Sequence, residues 1–139
     1  MSFHEKSQWA YAFAAFVTAA VYFAWLGTQL GDTPAADIDY RGALLWTIGI
    51  SMVIHALGTG FVRGATPKGE DKPDLRDRDV NRRGDALSFY VFSALAAGPL
   101  VLALVDAPMF WVANVLFAAF AFTAVFGVVA KSVLYRKGF

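Results

Sequence analysis

Four stretches of this chain run for about the width of a bilayer without a single Asp, Glu, Lys or Arg: 7–31, 42–62, 86–105 and 107–130. At ~1.5 Å rise per residue, roughly 20 helical residues cross a ~30 Å hydrocarbon core. No water is available there to satisfy peptide N–H and C=O groups, so each stretch must close its hydrogen bonds internally, as a helix, despite its many β-branched and aromatic residues. Composition agrees, with 58% hydrophobic and 17% charged residues in 139, against about 25% charged in a typical soluble domain. A soluble fold of this size cannot hide so much apolar surface.

The expected fold is therefore all-α, an integral membrane protein with spans at about 8–30, 42–62, 86–105 and 108–130 in one transmembrane domain, 1–139, with a cytoplasmic loop at 63–85. Lys6 ahead of an apolar run imitates a signal peptide, but the run exceeds the ~7–15 residues of a cleaved segment and is read as retained.

The basic residues set the orientation. Lys6, the seven between Arg63 and Arg83, and Lys131, Arg136 and Lys137 fall on one side of the spans, leaving Arg41 alone of the twelve on the other. The positive-inside rule then puts both termini and the 63–85 segment in the cytoplasm, which suits a multi-pass protein of the inner membrane. Trp9, Tyr11, Trp111 and Tyr135 fall near the expected interfaces, where amphipathic rings are favoured. Pro108 suits the first turn of the fourth helix, where its missing N–H costs nothing. Short connections make the first and second helices, and the third and fourth, neighbours, so the simplest assembly is an up-down-up-down four-helix bundle.

Several kinds of chemistry are excluded or unsupported. The chain has no cysteine, so disulfides, thiolate metal sites and thiol nucleophiles are ruled out. A net charge of +1 makes no electrostatic case for nucleic acid. No nucleophile, base and orienting group converge in sequence, and no metal-ligand spacing occurs, so neither catalysis nor a metal site is expected, and no cofactor is assigned. No span contains the acid that proton-coupled exchange needs.

His55 is the one histidine inside a span, roughly 10 Å along the helix from Val62. Thr47, Ser51, His55 and Thr59 recur every four residues and share one helical face. An ionisable side chain at that depth is a functional candidate, so Ser51, His55 and Thr59 form a candidate ligand-contacting or transport stripe. The plain alternative is a neutral His55 bonded to a neighbouring helix as packing glue, with the hydroxyls doing likewise; Asn114, Thr18 and Thr123 are read as interhelical partners of this kind in preference to the lining of a pore. Pro99 is expected to bend or open the third span. Small residues four apart, Ala15 with Ala19 and Ala56 with Gly60, permit close helix approach within the bundle or in a homo-oligomer.

The most distinctive segment precedes the third span. Asp74 with Arg78, and Asp79 with Arg83, are spaced i to i+4 with the acid first, as a helix prefers, and Pro73 suits a helix start, so the third helix is expected to begin outside the membrane. Upstream, 64–72 carries two Gly, a Pro and mixed charge and reads as a flexible linker. Asp74, Arg76, Asp77, Arg78, Arg82 and Arg83 make either a solvated stalk above anionic headgroups or a docking surface for a cytoplasmic or membrane partner.

The opening Ser2-Phe3-His4-Glu5-Lys6-Ser7-Gln8-Trp9 and the run Asp74, Arg76, Asp77, Arg78 and Val80 resemble a family of small four-helix bacterial and archaeal membrane proteins with an Asp-Glu-Arg-Asp motif before the third helix. Leu75 stands where that family has its glutamate. Relatives are often encoded beside Xre-type regulators, and the resemblance implies a regulatory or partner-binding role at the membrane. The leading expectation is thus an interaction or regulatory protein presenting Asp74–Asp85 to a partner. A small transporter or a lipid- or cofactor-binding bundle built on Ser51, His55 and Thr59 is the second expectation, and an accessory subunit of a larger membrane complex the third.

Overall fold

The computed structural model describes residues 3–65 and 74–137, the side chains of 3–5 and 137 excepted. The expected linker beyond Ala65, the helix start at Pro73, Ser2 and the side chains of His4 and Glu5 all lie outside the described residues. Four helices account for nearly all the rest: α1 (Phe3–Asp32), α2 (Tyr40–Gly64), α3 (Leu75–Leu104) and α4 (Met109–Lys137), with a 3-10 turn at Ala35–Asp37. No strand occurs among the described residues. All four helices are long and apolar enough to cross a membrane. Pro99 is buried inside a continuous α3.

The helix ends follow from local chemistry. α3 starts eleven residues before its charge-free stretch because Asp74 caps it. The Asp77 amide donates to Asp74 Oδ1 at 2.7 Å, and the Asp74 amide donates back to Asp77 Oδ2 at 3.4 Å. This reciprocal capping box satisfies two end donors. It also corrects the Asp74–Arg78 pairing: Asp74 faces its own helix end, while the second expected pair forms, with Arg83 Nε 3.0 Å from Asp79. Between α3 and α4 the chain reverses at Asp106, whose φ of 55° lies in the left-handed region that Asp tolerates better than most residues.

Three seams hold the helices together: α3 with α4, α1 with α2, and α1 with α4. The bundle is therefore ordered α2–α1–α4–α3, and among the described residues no comparable seam joins α2 to α3 or α4. At one end Tyr22, Leu26, Ile38, Tyr40 and Phe110 form a buried cluster, with the Tyr40 and Phe110 rings edge to face at 5.1 Å. At the other end polar contacts tie the helices together. Ser7 Oγ lies 3.2 Å from Thr59 Oγ1, Gln8 donates to Asn81 at 2.6 Å, Lys131 Nζ sits 2.7 Å from Asp85, and the Tyr135 hydroxyl donates to Asp77 at 2.6 Å.

Glycines make the α3–α4 seam close. A Cβ on Gly84 would overlap the Lys131 stem, and one on Gly127 would lie 2.7 Å from Ser88 Oγ. The outward faces of the charge-free stretches are largely apolar: Trp46, Leu45 and Phe61 of α2 are each more than 70% exposed. Contiguous apolar surface on that scale is what lipid, not water, accommodates.

Candidate functional site

Polar side chains inside an apolar slab are informative because an unpaired one is costly there. Most in this bundle are paired. Thr18, Thr28, Thr47, Ser88, Ser93 and Thr123 each donate to a main-chain carbonyl three or four residues back. Ser7 pairs with Thr59. Asn114 accepts from the Tyr22 hydroxyl at 2.7 Å and donates to the Phe110 carbonyl at 2.8 Å, so it serves as the interhelical partner expected of it.

Ser51 and His55 are the exceptions. Among the described Ser and Thr side chains of the four charge-free stretches, Ser51 is the one that makes no hydrogen bond, and His55 makes none either. His55 Nδ1 is sealed from solvent without a partner. The imidazole packs edge-on against Tyr11, ring centres 5.0 Å apart. A half-turn about Cβ–Cγ exchanges Nδ1 with Cδ2 in place, so either ring edge can face a neighbour.

Both residues line one cavity of about 570 Å³, between α2 on one side and α1 and α4 on the other. Ile48, Met52 and Phe117 supply apolar walls, and none of its lining residues is charged. Among the described residues α2 packs along its length on α1 and meets α4 chiefly at the Tyr40–Phe110 end, which leaves the α2–α4 side open at the cavity. Of the expected stripe, then, Ser51 and His55 share the cavity, whereas Thr59 is spent on Ser7 and Thr47 on the Ala43 carbonyl.

The charged segment is used differently. Asp74 and Asp77 cap α3; Asp77 is 7% exposed and also receives the Tyr135 hydroxyl. The Arg76 guanidinium donates to the Tyr135 carbonyl. Arg76 and Asp77 fasten the start of α3 to the end of α4. Arg82 and Arg83 both lean on Asp79 at 3.0 Å yet remain exposed, and Arg78 is exposed as well. Of the expected docking set only Asp77 is buried; Asp74 and Arg76 are exposed but bonded within the molecule, and Arg78, Arg82 and Arg83 are exposed.

A second cavity, of about 350 Å³, opens beside the Lys131–Asp85 pair between α1, α3 and α4. It shares Tyr11, Phe120 and Ala124 with the first. The sequence puts Tyr11 near an interface, Asp85 at the end of the segment presented to a partner and Lys131 among the basic residues that set orientation. Their convergence depends on pairings between residues distant in the chain, which no local pattern announces. Comparison with protein-family models, with curated proteins and with solved structures finds no match for this chain.

Proposed function

We propose that the protein is a multi-pass inner-membrane protein, crossing up-down-up-down with both termini in the cytoplasm, that binds a lipid-soluble small molecule in the groove between α2 and the α1–α4 pair. One observation carries this reading: Ser51 and His55, one helical turn apart, are left without hydrogen bonds on the wall of a cavity, in a bundle whose other intramembrane Ser and Thr hydroxyls are satisfied. An unmade hydrogen bond in such a place costs about 1–3 kcal/mol, which a ligand would recover. The absence of charge in the lining favours a ligand that is uncharged where it meets these two groups. Retention of lipid-soluble molecules by the protein purified in mild detergent tests the reading. A species bound by the native chain should fall about ten-fold in the Ser51→Ala, His55→Phe double variant at unchanged helicity. Equal retention overturns it.

A second reading rests on the outward face of α3. Leu75 is 83% exposed beside exposed Arg78 and Arg82, three positions on one side of a helix that begins outside its charge-free stretch. That face suits a cytoplasmic partner with acidic and apolar groups, the regulatory role that the resemblance implies. Charge reversal at Arg78 and Arg82 should release such a partner from the solubilised protein, and a partner that stays bound excludes this face.

A further inference from the structure

The rim cavity differs from the inner groove in one respect: it carries charge, and that charge is asymmetric. The Lys131 side chain is 14% exposed, while that of its partner Asp85 is 68% exposed. Gly84 explains the difference, since its missing side chain is what lets the Lys131 stem lie across α3. The ammonium is therefore fixed in the wall, and its counter-ion is the replaceable member. Gln8 and Ser88 add polar groups to the same wall, although the Ser88 hydroxyl is already donated to the Gly84 carbonyl. From here the cavity passes Phe120 and Ala124, which also line the groove of Ser51 and His55. Ala124 and Lys131 are seven residues apart on α4, roughly 10 Å along the axis.

We propose that the rim cavity takes the anionic head of an amphiphile, with Lys131 as the headgroup contact and Asp85 as the counter-ion it displaces, while the tail runs past Phe120 into the inner groove. The path of the tail rests on the groove reading above; the head site does not. The ligand class follows from the two linings together: one anionic group, a phosphate diester or a carboxylate, then an apolar chain that passes Ala124 roughly 10 Å along α4 and bears an uncharged hydrogen-bonding group further on. Asp85 moves to water as the head enters, so Lys131 keeps one anionic partner throughout and is not left as a desolvated charge.

The full-length protein in phosphatidylcholine vesicles tests this, with spin-labelled phosphatidylglycerol, spin-labelled oleate and spin-labelled phosphatidylcholine as probes whose immobilised fraction is read by electron paramagnetic resonance. The native protein is expected to prefer at least one anionic probe over phosphatidylcholine by about ten-fold, and the two anionic arms tell a phospholipid head from a free carboxylate. Lys131→Gln should abolish the preference. Gly84→Ala should weaken it with the lysine still present, because the stem is pushed out of place. Asp85→Asn should strengthen it, since the competing carboxylate is gone. No preference in the native protein, or an Asp85→Asn variant whose preference is unchanged or reduced, overturns the proposal and leaves the pair as a structural ion pair. The Ser51→Ala, His55→Phe variant separates the two readings: a charge preference that survives there supports the head site whether or not the inner groove binds anything.

Discussion

Asn114 and His55 are both polar groups in charge-free helices, and the bundle treats them in opposite ways. Asn114 is 4% exposed on the α1–α4 seam, with its carbonyl and amide both engaged. His55 stands at the edge of the α1–α2 seam, with an imidazole that bonds to nothing and a cavity in front of it. The contrast teaches how to sort intramembrane polar residues. One whose hydrogen bonds close within the bundle holds helices together, and one whose bonds stay open on a cavity wall is available to something else.

The sharpest test of the seam side is Gly84→Val, which forces a branched side chain into the Lys131 stem. Overpacking of this kind costs about 1–3 kcal/mol, and unfolding of the purified protein in mixed micelles should register a loss in that range. Asn114→Leu comes next. It removes both hydrogen bonds and strands the Tyr22 hydroxyl, so a loss of about 1–2 kcal/mol is expected by the same measurement. Tyr22→Phe keeps the ring contacts with Phe117 and deletes one bond, for about 0.6 kcal/mol. The smallest effect on stability belongs to His55→Leu. With no bond to lose and an unsatisfied nitrogen removed, stability should hold or rise by up to ~0.5 kcal/mol while ligand retention drops. Destabilisation by His55→Leu as large as that by Asn114→Leu would erase the distinction between the two sites.

Much of the fold is legible in the chain because lipid imposes a coarse rule, the exclusion of charge, and the four runs without charge locate four helices. What lipid does not encode is which helices touch. Apolar side chains gain little by leaving hydrocarbon for a helix interface, so an outward Trp46 and a buried Leu26 look alike in sequence. The order of the seams depends instead on small local facts, such as the room that Gly84 and Gly127 leave for Lys131 and Ser88. The candidate site was legible to the same depth. The four-residue spacing put Ser51, His55 and Thr59 on one face, but which hydroxyl is spent and which is free turns on Ser7, 52 positions away from Thr59. In the charged segment the acid–base spacing favoured an Asp74–Arg78 pair, whereas the Asp three residues after Asp74 carried the stronger signal, a helix cap.

The order of the seams has a consequence for how the molecule is assembled. α1 with α2 and α3 with α4 are each close-packed hairpins, and among the described residues α1 against α4 is the one substantial joint between them. A chain built this way is two insertable units whose main docking surface carries the Tyr22–Asn114 bond, with Gln8–Asn81 and Tyr40–Phe110 as smaller contacts. Co-expressed as two separate pieces, 1–69 and 70–139, the hairpins should find each other in the membrane through that joint. The inner groove, walled by residues from both units, would appear only after they have met.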